Sequence, residues 1–310
     1  MKIDYIGNGA YCYSNSASML LSSIGEKISP SIIEVICGVG LSAFWLSKNN
    51  LLFFNFALPD EELSRVFKIL GFDCKERIIS KKEPAPIQKL KEDLKKSPAI
   101  VGPIDMGYLI YNPNYRFLGG SDHYVLVYDF DDKDVYLHDP EKFPCVSVSF
   151  KQLKLAWESK KILYGLENYQ YWTDPKRAKI PSKKEIYNQT IKDFKSIYRS
   201  CDKKSTENNW ITGKEAILTC VERVQEKKIT REEIDHLVYF ALPLGAKRAL
   251  DFAIFFDFQD NDLATLKRKQ AELFGMSQVF AMNKNLPELA KTFREFAEVE
   301  DEFKSLLLKK

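Results

Sequence analysis

Three residue types able to act together on a carbonyl carbon are spread across the first half of the chain: Cys12, His123 and Asp139. Cys12 follows the glycine-broken lead-in Gly7-Asn8-Gly9-Ala10-Tyr11 and precedes the run Ala17-Ser18-Met19-Leu20-Leu21. That order predicts a thiol on the first turn of a helix. There the positive end of the macrodipole favours a thiolate, and first-turn N–H groups can serve an oxyanion. A lone free cysteine is commonly just a small buried hydrophobe, so Cys12 needs companions. The chain has three histidines. His123 opens the strand-like run His123 to Phe130, directly after the loop Gly119-Gly120-Ser121-Asp122. A side chain there can face a cleft while the sheet holds its backbone. His138 and Asp139 end the next run, Val135 to Asp139. A turn centred on Asp131-Asp132 would bring Asp139 alongside His123, where a carboxylate fixes the imidazole tautomer and supports its charged form.

Neighbouring strand residues point to opposite faces, so His138 cannot share a cleft with Asp139. His123 is therefore the expected base. The bland alternative makes His123 a strand-edge histidine and Asp139 a turn residue before Pro140. Taken together, the three residues favour nucleophile, base and orienting acid. His236, beside Asp235 on a later helical stretch, reads as structural.

The surrounding pattern predicts the elements that would position these groups. Helical periodicity runs from Cys12 to Ile24, with Gly25 as the stop. A second short helix follows Ser29-Pro30, and Cys37-Gly38-Val39-Gly40-Leu41-Ser42 reads as a tight turn packed closely on the core rather than a phosphate loop. The stretch Val35 to Pro59 is broken by Lys48-Asn49-Asn50 and reads as two buried segments and a turn, not a membrane span. A helix from Pro59 to Leu70, a strand from Phe72 to Ile79 and a charged helix from Lys89 to Lys96 come next. From Pro98 the texture is β: the run Ala99 to Ile104, the hairpin of His123 to Phe130 with Val135 to Asp139, and a third strand Cys145 to Phe150. Beyond a polar, proline-bearing stretch from about Tyr171 to Ser182 everything reads helical. The expected architecture is α+β, with a papain-like domain (residues 1–172) and an all-helical region (residues 173–310).

Bulk properties exclude several classes. The 310 residues carry a net charge of +3, too little to argue for a nucleic-acid or membrane partner. With 45% hydrophobic and 29% charged residues the chain is globular in composition. The beginning of the chain lacks a basic segment followed by a continuous apolar core, so no secretory signal is expected. Cysteines 12, 37, 74, 145, 201 and 220 form no CxxC pair, which argues against a zinc site or disulfide framework and for a reducing, cytoplasmic setting. No metal or other cofactor is expected.

The order Cys, His, Asp, with the cysteine on an early helix and the others on a later antiparallel sheet, is the papain-type arrangement. The first half also resembles the butirosin biosynthesis protein H group, papain-fold proteins related to C39-type cysteine peptidases. The resemblance rests on Asn8, Tyr11-Cys12, Ser14 and Ala17-Ser18; on Ile36 to Phe44; on Pro98-Ala99-Ile100-Val101 with Asp105, Leu109 and Tyr111; and on the hairpin bearing His123 and Asp139. It extends more weakly into the helical half. It departs at Tyr11, where that group has His, and at Ile6, where papain-type enzymes place an oxyanion-holding Gln.

The resemblance implies a cysteine acyltransferase that moves an acyl group from a thioester, of acyl-carrier-protein or coenzyme A type, to an amine of a small molecule. Cys12, His123 and Asp139 would be catalytic, Asn8 would stand in as an oxyanion donor, and Tyr11, Asp105, Tyr108 and Tyr111 would line the substrate. The expected partners are a small-molecule amine and an acyl-carrier protein. The helical half is left open as a cover for the cleft or the face of a homodimer. A C39-like peptidase or amidase, and a catalytically inactive papain-fold binding protein, are the rival readings.

Overall fold

A computed structural model describes residues 3–7, 9–162 and 167–310. In chain order its elements are α1 (Cys12–Ser22), α2 (Pro30–Cys37), β1 (Phe44–Leu46), β2 (Leu51–Phe53), α3 (Pro59–Ile69), β3 (Phe72–Ser80), α4 (Ile87–Leu94), β4 (Ala99–Asp105), β5 (Asp122–Phe130), β6 (Asp134–Asp139), β7 (Phe143–Ser149), α5 (Phe150–Glu158) and β8 (Asn168–Arg177). Six helices follow: α6 (Lys183–Asn208), α7 (Gly213–Gln225), α8 (Arg231–His236), α9 (Leu242–Phe256), α10 (Asn261–Met282) and α11 (Leu286–Lys309). The fold class is mixed α+β, an N-terminal helix on an antiparallel sheet followed by a helical region.

The chain divides into two compact units, Met1–Ile33 with Pro59–Ser182, and Glu34–Leu58 with Lys183–Lys310. The first is built on a six-stranded antiparallel sheet in the order β3-β8-β4-β5-β6-β7. One face carries Val101, Val125, Val127 and Leu137, buried against Leu90 and Leu94 of α4 and Leu153 and Trp157 of α5. On the other face Tyr124 meets Tyr13 of α1 edge-on at 5.9 Å, and the Trp172 indole donates to Ser64 of α3 at 2.8 Å. Every residue of α1 from Tyr13 to Leu21 is buried, so this helix is fixed on all sides. The β5–β6 turn is closed by Asp131, whose carboxylate accepts from the Lys133 and Asp134 amides (both 2.8 Å) and the Tyr136 hydroxyl (2.7 Å). An aspartate bonding its own backbone in this way specifies a turn locally, and it sets the pairing expected from the sequence.

Strand β8 had no clear sequence signature. Its Asp174-Pro175-Lys176-Arg177 end reads as a linker, yet Tyr169 and Tyr171 alternate into the sheet core while Trp172 faces the other side. Inserted between β3 and β4, it satisfies the backbone groups of both. The boundary expected between residues 172 and 173 falls inside this strand.

The second unit takes in residues 34–58 because the β1–β2 hairpin belongs to its core. Ala43, Trp45, Leu52 and Phe54 are buried with side chains of α7, α9, α10 and α11. The glycine-rich turn before the hairpin lets the chain approach two helices closely. A Cβ on Gly38, which has φ +72°, would lie 2.6 Å from Ile197 of α6, and one on Gly40 would lie 2.9 Å from Arg248 of α9. Helix α8 begins with a reciprocal Thr230–Glu233 capping box, and a π-helical turn, Leu237–Ala241, joins it to α9. Among the described residues no helix is long and apolar enough to cross a membrane.

Candidate active site

Cys12 is the first residue of α1 and is partly exposed, while the helix behind it is buried. The chain enters the helix through Tyr11, held in the left-handed region at φ 61° and ψ 50° and only 4% exposed. A non-glycine residue there costs on the order of 1–3 kcal/mol, maintained only where the surroundings over-determine it. They do so here. The Gly9 amide (φ +75°) donates to the Pro140 carbonyl at 3.2 Å, tying the lead-in to the end of β6, and the Asn15 side-chain amide donates to the Ala10 carbonyl. The first turn of α1 carries no acidic side chain, so nothing there neutralises the positive end of the helix beside the sulfur.

His123, near the start of β5, is 3% exposed, and its Nε2 lies 2.6 Å from Oδ1 of the fully buried Asp139 at the end of β6. The Cys12 sulfur lies close enough to the same ring to act on its ionisation. With Nε2 turned to the carboxylate, Nδ1 is the nitrogen left for the thiol. The neutral ring would then donate from Nε2 and accept at Nδ1, the tautomer a general base requires. Burial opposes charging His123. The Asp139 carboxylate and the Cys12 sulfur outweigh it, and they raise its pKa well above the usual histidine value. Burial likewise opposes ionising Asp139, but His123, the Glu141 amide and the Tyr111 hydroxyl together hold its pKa below the ordinary carboxylate value.

Asp139 is held at both carboxylate oxygens and at its carbonyl. Oδ1 also accepts from the Glu141 amide at 2.7 Å, Oδ2 accepts from the Tyr111 hydroxyl at 2.7 Å, and its carbonyl accepts from the Tyr5 hydroxyl at 2.9 Å. His138 faces away, as strand alternation requires. Its ring lies 4.5 Å from that of Tyr128, its Nδ1 accepts from the Cys145 amide at 3.1 Å, and burial lowers its pKa.

The residues expected to line a substrate fare differently. Tyr111 turns its hydroxyl inward onto Asp139, so it positions the acid instead of offering a free wall. Asp105 is fully buried: Oδ1 accepts from the Gly107 and Gly120 amides at 2.8 and 2.9 Å, and Oδ2 from the Ser159 hydroxyl at 2.5 Å. It therefore staples the two ends of the β4–β5 connection to the residue after α5, and its carboxylate is spent on these bonds. Tyr108 is half-buried against the sheet core, its carbonyl accepting from Gln152 at 2.7 Å. Tyr11 serves through its backbone conformation. Asn8 lies outside the described residues. Tyr5 and the Glu141 amide were not singled out from the sequence; an aromatic near the N-terminus and a main-chain donor carry no local signal of such a role.

All six cysteines are free, and among the described residues no group of three or more His, Cys, Asp and Glu side chains is placed to hold a metal ion. The arrangement can deprotonate a thiol, stabilise the imidazolium that results and present the sulfur at a helix N-terminus.

Comparison with known proteins gives the following likenesses. Residues 207–308 match the family model described as the YobF C-terminal domain. The chain is 39% identical over 305 residues to protein YobF of Bacillus subtilis (strain 168), covering 98% of each chain. A candidate C39-like peptidase from Bacillus anthracis, known as a crystal structure, aligns over 57% of this chain and 96% of its own, with 15% identity and a TM-score of 0.38.

Proposed function

This chain belongs to the YobF family, and we propose that it is a cysteine-dependent acyltransferase working through an acyl-enzyme on Cys12. The observation that carries this reading is the buried His123 ring, bonded through Nε2 to Asp139 at 2.6 Å, with the Cys12 sulfur close enough to act on the ionisation of the same ring. His123 takes the thiol proton, and Asp139 stabilises the imidazolium. The thiolate attacks the carbonyl of an acyl thioester, with the oxyanion held at the first turn of α1. The tetrahedral intermediate expels the donor thiol, which leaves with the proton from His123. An amine then attacks the enzyme thioester, gives a proton to His123 and releases an amide and free Cys12. The thioester donor and amine acceptor are supported by the sequence resemblance to the butirosin biosynthesis protein H group.

Intact-mass spectrometry with a small acyl thioester tests the reading. One acyl group is expected on the wild type, none on Cys12→Ala and slow addition on His123→Ala, and an added amine should discharge the adduct as an amide. Adducts scattered over several cysteines and indifferent to His123 would leave a binding protein. Turnover of peptides without thioester acylation would make the chain a peptidase.

A further inference from the structure

Glu141 sits two residues beyond the orienting acid and has no part in the steps above beyond its backbone. Its amide bonds Asp139, which fixes where the residue starts. Its side chain extends over the turn that delivers the nucleophile: Oε1 is 3.6 Å from the position a Cβ on Gly9 would occupy. That turn is itself pinned to Pro140, the residue before Glu141. A second carboxylate thus lies beside the loop into Cys12 and within the field of His123, with the Lys142 Nζ also 3.6 Å from the same Gly9 Cβ position. Glu141 is half-buried. The charged or titratable groups that act on it are His123, Asp139 and Lys142, and Tyr5 feels its charge in turn. Burial first and Asp139 next raise its pKa against the pull of His123 and Lys142.

We propose that Glu141 is the specificity-determining residue for the acceptor: its carboxylate receives an alkylammonium beside the loop into Cys12 and takes the proton that frees the amine to attack. This rests on the acyl-enzyme reading above. An amine arriving as R–NH3+ is no nucleophile until it loses one proton, and Glu141 accepts that proton. The neutral amine then forms the C–N bond to the acyl carbon. Its second proton passes to His123 and on to the Cys12 sulfur as the C–S bond breaks. Amide, Cys12 thiol and one proton, shed from Glu141 to solvent, complete the balance.

The test is the ratio of amide to free acid released per acyl-enzyme, using an acetyl thioester as donor and either putrescine or hydroxylamine as acceptor. Putrescine is cationic, whereas hydroxylamine is uncharged at neutral pH. With Glu141→Gln the ratio for putrescine is expected to fall roughly tenfold with a raised KM for the amine, about the worth of one hydrogen bond to a charged group. The ratio for hydroxylamine should hold, and Glu141→Asp should recover part of the loss. An unchanged putrescine ratio, or equal losses with both acceptors, would overturn the proposal, the second by revealing a purely structural role. A wild type that never acylates at Cys12 overturns the acyltransferase reading itself, and this proposal with it.

Discussion

Two buried polar clusters, one in each unit, differ in what they leave unspent. In the sheet unit, His123, Asp139 and Tyr111 form a chain of short hydrogen bonds, with the partly exposed Cys12 thiol acting on the His123 ring. In the helical unit, Lys267 is 2% exposed, and its Nζ donates to Gln270 at 2.8 Å and lies 4.0 Å from the Phe303 ring centre. Gln270 donates on to Glu300 at 2.8 Å, and Glu300 also accepts from Tyr198 at 2.6 Å. This second cluster lines a cavity of about 10 Å³, room for about one water. Burial pushes the Lys267 amine down to about 8, against the pull of Glu300. Both clusters bury charge and both perturb titration. Only the first sets a thiol beside an imidazole at a helix N-terminus, which is why the proposed chemistry rests on it and not on perturbed ionisation alone.

The comparison breaks most sharply at the nucleophile. Cys12→Ala should abolish thioester acylation, and His123→Ala should slow it by roughly 10⁴-fold, the scale on which removing one member of a catalytic triad acts. Acylation rates by stopped-flow or quenched mass spectrometry check this, and the corresponding Lys267→Met variant should acylate at the wild-type rate.

Asp139→Ala should cost about 3–5 kcal/mol of folding stability, because it leaves His123 buried without its counter-charge. Lys267→Met should cost less. It leaves the buried Glu300 carboxylate without the nearby ammonium, but it also removes an amine whose charging the fold resists, so the two effects partly offset. Denaturant unfolding of the intact chain measures both. A loss as large as that of Asp139→Ala would mean that burying Lys267 costs the fold little.

His123 and Lys267 should also tilt stability with pH in opposite senses. His123 has a raised pKa when folded. Its stabilising contribution is complete below the unfolded value of about 6.5 and is lost as pH rises through the folded one. Asp139, lowered when folded, contributes above the unfolded value of about 3.9 and loses that contribution as pH falls through the folded one. Lys267 binds its proton more weakly when folded, so stability should rise with pH between about 8 and the unfolded value of about 10.4. In His123→Gln the falling limb should vanish, and in Lys267→Met the rising one should. The smallest expected effect is that of Tyr111→Phe, which removes one donor from a buried carboxylate and should cost about 1.5 kcal/mol of stability.

What the sequence revealed and what it hid follow from the range of the interactions. The turn at Asp131, the alternation separating His138 from Asp139 and the helix opening at Cys12 are local, and each was legible from spacing. The hydroxyl of Tyr111 on Asp139 spans 28 residues through an irregular loop, and the buried Asp105 carboxylate serves backbone amides 2 and 15 residues away. Composition cannot distinguish such a staple from a ligand-facing acid. β8 was missed for a related reason. Its place between two strands supplies the hydrogen bonds that its own residues do not advertise.

The return of residues 34–58 to the helical unit has a practical consequence for dissecting the protein. No single cut separates the two units: a fragment ending at Ser182 retains Ala43, Trp45, Leu52 and Phe54 without the helices that cover them, and the complementary fragment lacks part of its own core. Modularity here is a matter of packing and not of sequence order. Splitting the chain cleanly would require excising the hairpin segment, bridging Ile33 to Pro59 with a short flexible linker, and grafting the hairpin onto the helical fragment.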